Sequence, residues 1–249
     1  MNDINKVIFS DFYFNNRWLS DFDAEIGGST PTLPSISALP EKEIGTQQVM
    51  GVDGQLVTSV RFLPRTFSLP IVLNDLSRLR ELANWLGAIE ATDFHFRGDN
   101  VKIKCMVEGA VDVAKLFGSL GTADIKFIAH GVYYEAIDDI THVFNSPVVA
   151  QVINFHNQGT SPSKPMLRVY GTGVVKIQLN GEEFTLDGIT GGYVDMDCAK
   201  QTVFNSTGNK YHIFKGKFKN LSLKPDYNDL KLVSGTVTKI EVQCKSRWI

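Results

Sequence analysis

The 249-residue sequence has no excess of either charge: 25 Lys and Arg stand against 27 Asp and Glu, a formal net charge of −2. That argues against a nucleic-acid binder working through a globally basic surface, because such binding depends on neutralising phosphates. A local patch is not excluded. Long hydrophobic runs are also missing. None approaches the roughly 18 apolar residues of a membrane span, so no membrane partner is expected. Cysteine is scarce, with Cys105, Cys198 and Cys244 only. Their number is odd, their spacings are long and no Cys-x-x-Cys occurs, so they read as buried, reduced thiols. The opening Met1-Asn-Asp-Ile-Asn-Lys6 is not followed by the apolar stretch of a secretion signal. Folding in a reducing cytosol is expected.

Catalytic signatures are absent as well. There is no Gly-x-Ser-x-Gly elbow and no phosphate-binding Walker loop, and Gly171-Thr-Gly173 lacks the third glycine and the following helix of a dinucleotide loop. The five histidines, His95, His130, His142, His156 and His212, are scattered, and none is at ligand spacing from Cys, Asp or Glu. Asp195-Met-Asp197 places two carboxylates on one face of a strand. They could bind a metal or act as acid and base; the plainer reading is a solvent face with Met196 buried. Lys215, Lys217 and Lys219 alternate with Phe214, Gly216 and Phe218. This is either an aromatic-basic strip for a sugar or nucleic acid or a strand with its polar side out. Asn205-Ser-Thr matches a glycosylation sequon, which means little without a signal peptide. No enzyme, cofactor or metal site is therefore expected, and the residues point to a structural or binding protein.

What is present is β-structure. Hydrophobic residues make up 43% and aromatics 10%, with 21 glycines, a composition suited to half-buried strands and many turns. The first half predicts strands at Lys6–Phe14, at Phe67–Leu73 with Phe67, Leu69, Ile71 and Leu73 facing inward, at Phe94–Phe96, at Val101–Val107 and at Ile125–Ala129. Gly27 to Pro40 reads as a long loop. One helix is predicted from an N-cap at Asn74 or Asp75 to Gly87, with Leu76, Leu79, Ala83 and Leu86 on its buried face. Between loop and helix, Glu43–Met50 and Gln55–Phe62 flank Gly51-Val-Asp53-Gly54, and Asp-Gly is a strong signal for a tight hairpin. Glu43, Thr46, Gln47 and Gln48 interrupt the apolar residues of the first arm, so neither face suits a core. Such a ribbon is marginal alone; it lies over its own domain or reaches a neighbouring subunit.

The second half opens at Asn157-Gln-Gly159 and runs through Pro162 and Pro165 to a short strand, Met166–Tyr170, ended by Gly171 and Gly173. Asn157 and Gly159 are read as a turn with positive φ. Further strands follow at Val175–Leu179, with an Asn180-Gly181 hairpin turn into Phe184 and Leu186, at Tyr193–Met196, and at Ile240–Cys244. Lys224–Asn228 is a turn. Short strands without helical periodicity read as a β-sandwich or jelly roll.

In order along the chain, these features resemble the distal tail (Dit) proteins of siphophages. In the second half the resemblance rests on Asn157-x-Gly159, Pro165 before a short strand into Gly171-x-Gly173, Asn180-Gly181, Tyr193-Val-Asp195 and Pro225-x-x-Asn228. In the first half it rests on Gly51-Val-Asp-Gly54, Arg65-Thr-Phe67, the capped helix from Asn74 and Tyr133-Tyr134. Gly131-Val132 and Pro225-Asp226 depart from the family's usual Asp-Pro and Pro-Gly and alter turns only. The resemblance implies a mainly β fold: residues 1–138 as a β-sandwich-like, ring-forming domain with one α-helix and a protruding β-hairpin, and residues 139–249 as a galectin-like β-sandwich (jelly roll). It implies a virion protein of the phage tail tip, made in the host cytoplasm and forming a homohexamer. One face of that ring would meet the major tail (tube) protein and the other the tail-tip hub protein, with receptor-binding proteins alongside. Tape-measure protein and DNA would pass through the channel without specific binding. The hairpin residues Val49, Met50, Gly51, Val52, Asp53, Gly54, Gln55 and Leu56 are the expected inter-subunit arm. At this length there is no room for an inserted sugar-binding module.

Two rival readings remain at this point. A carbohydrate-binding protein of two β-domains predicts aromatics gathered on one sandwich face, whereas Trp18 and Trp85 fall in the first half and Trp248 at the extreme end. A glycosidase using Asp195 and Asp197 would need room for substrate between two residues of one strand.

Overall fold

The computed structural model describes residues 8–27, 40–51, 53–116, 118–129, 131–190 and 192–249. Most of the expected 27–40 loop, Val52 of the hairpin and His130 lie outside the described residues. The protein is mainly β, built of antiparallel sheets with one α-helix among the described residues. It divides into two compact units, residues up to Tyr134 with Ile249, and Glu135–Trp248. The division falls a few residues ahead of the 138/139 boundary read from the sequence.

The first unit contains β1 (Ile8–Phe14), β2 (Arg17–Trp18), β3 (Ala24–Ile26), β4 (Lys42–Gln48), β5 (Gln55–Phe62), β6 (Arg65–Leu73), the helix α1 (Leu79–Leu86), β7 (Thr92–Arg97), β8 (Val101–Val107), β9 (Val113–Lys115) and β10 (Gly121–Ala129). Its main sheet runs β2-β1-β7-β8-β10-β6-β3, with β9 added to β10. The inward positions of β6 and β10 follow strict period-two alternation: Phe67 pairs with Phe127, Leu69 with Ile125 and Ile71 with Ala123, and these residues, Leu73 and Ala129 are all buried. The core is aromatic. The Phe127 ring lies 5.2–5.7 Å from those of Phe12, Phe14, Phe67 and Phe94. Trp85 of α1 stacks on Phe22 at 4.6 Å and donates its indole N–H to the Phe14 carbonyl at 2.6 Å.

The helix departs from its expected phase. Asp75 is the cap: its carboxylate accepts from the Ser77 backbone N–H at 2.8 Å. The first turn, Leu76–Arg78, is 3₁₀, and the α-helix starts only at Leu79. A 3₁₀ turn advances a third of a revolution per residue, which moves Leu76 off the later stripe. The buried face is Leu82, Trp85 and Leu86 with Leu79 half-buried, and Ala83 is exposed. The indole takes the core position that the sequence pattern gave to Ala83.

The second unit contains β11 (Tyr134–Ala136), β12 (Thr141–Asn145), β13 (Val152–Asn157), β14 (Met166–Leu179), β15 (Glu182–Ile189), β16 (Tyr193–Asp197), β17 (Thr202–Asn205), β18 (Gly208–Asn209), β19 (Phe214–Lys215), β20 (Asp226–Gln243) and β21 (Arg247–Trp248). β11 pairs with β21. Two long strands make this unit a sandwich. The first part of β14 pairs with β16 and with the last part of β20, which also holds β12. The second part of β14 pairs with β15 and with the first part of β20, which also holds β13. Both strands bend midway, so one continuous sheet folds over its own core. Leu167, Val169, Val175, Ile177, Leu179, Leu230, Leu232, Ile240 and Val242 meet inside.

This bend corrects the expectation that Gly171 and Gly173 end a strand. Residues 172–174 and 234–236 are exposed where the two strands cross the fold's edge together, and the register shifts there. A side chain at Gly171 would stand 2.6 Å from the Thr236 carbonyl oxygen. At Gly235 (φ +103°) it would stand 2.5 Å from the Val174 carbonyl oxygen. The glycines let two backbones approach and turn without breaking either strand.

The asparagines and glycines that carried the resemblance in this half are structural. Asn180 and Gly181 have φ of 50° and 88°, both positive as a two-residue primed turn requires. Asn157 and Gly159, expected at positive φ, are not among the positive-φ residues. Gly159 is fixed by proximity instead, since a Cβ there would lie 2.4 Å from the Arg247 carbonyl oxygen. Asn157, Asn180 and Asn228 form a hydrogen-bonded knot. Asn228 accepts from the Lys224 N–H at 2.8 Å and from Asn180 Nδ2 at 2.7 Å, and donates to the carbonyls of Lys224 (3.0 Å) and Asp226 (3.2 Å). Asn157 also donates to the Lys224 carbonyl, at 3.0 Å, and accepts from Ser246 Oγ at 2.9 Å.

Candidate interaction surface

Among the described residues, the hairpin of β4 and β5 is a two-stranded sheet whose strands pair only with each other. The tight Asp53-Gly54 turn expected from the sequence is not what closes it. The last pair is Gln48 with Gln55, so the strands part well before Asp53-Gly54. Positive φ falls on Gly51 (84°) and Gly54 (108°) rather than on Asp53. The two glycines that can turn the chain are separated by two residues, and a primed two-residue turn needs adjacent ones.

Cross-strand partners share a face. Lys42 with Phe62, Ile44 with Val60, Thr46 with Val57 and Gln48 with Gln55 make one face; Glu43 with Arg61, Gly45 with Ser59 and Gln47 with Leu56 make the other. Glu43 and Arg61 form an ion pair at 2.6 Å. The sequence showed no good face, because Glu43, Thr46, Gln47 and Gln48 interrupt the first arm; on the second arm Val57 and Val60 are three apart, and strict alternation would send them to opposite sides. A β-bulge between Gly45 and Thr46 on the paired register removes that difference. The result is an apolar stripe of Ile44, Val57 and Val60, exposed by 55%, 56% and 57%, and running toward half-buried Phe62. Met50 at the tip is 99% exposed, and Val49 and Leu56 are exposed beside it. Covering half of an aliphatic side chain is worth about 1 kcal/mol, so the stripe and tip together offer several kcal/mol to a partner.

A second apolar feature of this unit is a groove of about 200 Å³ between α1 and the β8–β9 connection. Leu82, Leu86, Val107, Val111 and Val113 line it. Ile89, two residues past the lining Gly87, is 90% exposed, and Leu116 after β9 is exposed too.

The other expected sites are occupied by structural work. Asp195 does not lie on an open solvent face. It is 3% exposed and held by Arg168 through two hydrogen bonds of 2.5 and 2.9 Å. The carboxylate holds the guanidinium above its usual range. Asp197 caps the next turn, accepting from the N–H groups of Ala199 and Lys200, each at 3.0 Å. Met196 between them is buried. Tyr170 and Tyr193 do gather on the outer face of this layer, with ring centroids 5.7 Å apart. Their ring faces are taken, however: Lys239 Nζ sits 4.0 Å over Tyr170 and the Arg168 guanidinium 4.9 Å over Tyr193. Sugar stacking needs such a face free.

The Lys215–Lys219 strip does not exist as an alternating strand. β19 ends at Lys215, and Phe218–Asn220 is a 3₁₀ turn. Phe214 and Phe218 stack on each other at 4.1 Å, with Phe218 buried; Gly216 allows this, since a Cβ there would meet Phe184 at 2.9 Å. Asn205 of the sequon is buried, and its amide donates to the Thr190 carbonyl at 3.3 Å. No group of three or more His, Cys, Asp or Glu able to hold a metal occurs among the described residues. The three cysteines are free and buried. Burial pushes the Cys198 thiol up to about 12 and the Cys244 thiol up to about 11, so neither is a nucleophile near neutrality.

No protein-family model matches the chain, and no curated protein matches it. Solved structures do. The crystal structure of the Dit protein of phage SPP1, described as a paradigm of the hub adsorption apparatus in phages infecting Gram-positive bacteria, matches with a TM-score of 0.75 at 14% identity. The match covers 96% of this chain and 99% of that one. A chain in the structure of the phage P2 baseplate, in its activated conformation with Ca, matches with a TM-score of 0.52 at 7% identity, over 96% and 99% of the two chains. The likeness is one of fold, and it runs the length of both units.

Proposed function

We propose that this chain is a structural hub protein of a long-tailed phage, seated at the tail tip. Six copies form a ring joining the tail tube to the tail-tip baseplate and its receptor-binding proteins, with a central channel for tape-measure protein and then DNA. The observation that carries this reading is the match to a phage hub protein over both units and nearly the full length of each chain. A likeness confined to one sandwich would carry no function, because sandwiches serve many.

The hairpin supports the same reading. A ribbon with one apolar face and no strand partner among the described residues of its own chain is stable only when something covers that face. In a ring each arm covers part of the next subunit, a heterologous contact that closes when the rotation closes. The near-neutral charge suits a channel wall that should not retain DNA. The carbohydrate-binding alternative gains no observation, because the two gathered tyrosines are already capped by cations. Electron microscopy of the purified protein tests the proposal: it predicts rings of six-fold symmetry with an open centre. Particles with neither symmetry nor hole would refute it.

A further inference from the structure

One stretch of the second unit is strongly charged, and the hub reading gives it no use. Residues 198–224 contain Lys200, Lys210, Lys215, Lys217, Lys219 and Lys224 and neither Asp nor Glu, in a chain whose net charge is −2. We propose that this face binds a flexible polyanion, a single chain of repeating phosphates, through Lys210, Lys217, Lys219 and Lys224. The proposal goes beyond the ring and does not depend on it.

The fold gathers these charges without a long strand. Lys210 leads into the 3₁₀ turn Tyr211–Ile213, and the Ile213 N–H bonds back to the Lys210 carbonyl at 3.0 Å. The Tyr211 ring lies 6.1 Å from that of Phe218, which sets this turn against the next one, Phe218–Asn220. Phe218 is buried, while Lys217 and Lys219 on either side of it are exposed. Ser163 and Leu223 exchange backbone hydrogen bonds of 2.8 and 3.0 Å, so Lys164 and the exposed Lys224 are neighbours across them. Lys164 Nζ donates to the carbonyls of Phe218, Lys219 and Leu221 at 3.3, 2.7 and 3.1 Å. Its three N–H groups are spent on the turn, and its charge adds to the same face.

The carboxylates that border the segment are engaged elsewhere. Asp187 holds Lys215, and Asp197 lies 4.0 Å from Lys200. Glu182 accepts from the Asn220 amide at 3.1 Å, and Asp226 faces His156 at 3.2 Å. Lys210, Lys217, Lys219 and Lys224 have no ion-pair partner among the described residues. Unpaired cations gathered on one face draw in anions. Two features select a flexible phosphate chain. The segment has no arginine; a planar carboxylate gains most from the guanidinium fork, whereas phosphate oxygens also suit the compact ammonium of lysine. The lysines ride on short turns, not on a helix or ribbon that could enter the groove of a duplex.

Fluorescence anisotropy of the full chain with labelled oligothymidylate tests this, with polyphosphate and polyglutamate as competitors. The expected result is binding that polyphosphate displaces readily and polyglutamate poorly. Four phosphate contacts on a single strand, at roughly 0.7 each, give a slope of log K against log salt of about −3. Lys217→Gln with Lys219→Gln should flatten that slope by about 1.4. Tyr211→Ala should leave it unchanged, and so should Lys104→Gln, at an exposed lysine of the first unit. Binding of polyphosphate alone, measured by calorimetry, keeps the proposal and removes nucleic acid as the source of the phosphates. Binding of neither at low salt overturns it, as does a slope that the double lysine variant does not change. Displacement by polyglutamate as readily as by polyphosphate assigns the face to an acidic protein segment and overturns it too. Oligothymidylate binding that polyphosphate cannot displace and Tyr211→Ala abolishes means that bases are read instead of phosphates, and the proposal falls.

Discussion

Truncating Asn228 should unlock the end of the second unit. The side chain is 2% exposed and makes four hydrogen bonds. Asn228→Ala removes all four, but two of the groups left behind keep a partner. The Lys224 carbonyl still accepts from Asn157, and Asn180 Nδ2 still donates to the Ser222 carbonyl. The Lys224 N–H loses its acceptor. At roughly 1 kcal/mol per neutral bond, with one stranded donor adding to the cost, the loss comes to about 3 kcal/mol. That is about a hundredfold in the folding equilibrium and about 10 °C in melting temperature for a unit of this size. Urea unfolding followed by circular dichroism measures it as a lower midpoint at unchanged slope. Asn228→Asp keeps the acceptor but turns a carboxylate oxygen toward two carbonyls, so it should cost more than the alanine at neutral pH. A loss below about 1 kcal/mol for Asn228→Ala, or an aspartate milder than the alanine, would refute the knot as a stabilising element.

Other outcomes follow from the same geometry. Gly235→Ala forces a side chain at φ +103° against the Val174 carbonyl and should cost about 3 kcal/mol or more, read as a lower urea midpoint; a neutral result would mean the strand bend is not where the structure puts it. Trp85→Ala removes the indole that stacks on Phe22 and bonds to Phe14 and should destabilise the first unit by about 3–5 kcal/mol in thermal unfolding, whereas Ala83→Ser on the exposed side should change stability by less than about 0.5 kcal/mol. Burial raises the Cys198 thiol from 9.0 to about 12 and the Cys244 thiol to about 11. The unfolded chain therefore releases these protons first, and stability present below pH 9 is lost as pH rises toward 12. Urea midpoints taken between pH 8 and 11 should fall, and Cys198→Ala should flatten that decline.

Much of the fold was legible because period-two alternation is a local signal. β6, β8 and β10 could be read directly, and so could the Asn180-Gly181 turn, where both residues must take positive φ. What escaped depends on contacts distant in sequence. Gly171 looked like a terminator, yet it and Gly235 mark places where two long strands pass close enough to exclude a Cβ. Gly159 looked like a turn glycine and is fixed by Arg247 on the last strand. The helix phase was missed because a 3₁₀ first turn and one large indole set it. For the candidate surface, the sequence marked the hairpin and its unusual polarity but not its apolar face, since a bulge places Val57 beside Val60. The Asp195 and Lys215–Lys219 signals were local patterns with structural uses, the first as an ion pair beneath Tyr193 and the second as a break in the strand.

The most direct test of the central claim is the solution mass of the intact protein by light scattering. Six chains of 27.7 kDa make about 166 kDa, and the ring predicts a species of that mass, lost when residues 43–60 are deleted while the rest of the chain stays folded. A protein that remains at 27.7 kDa at every concentration would contradict it.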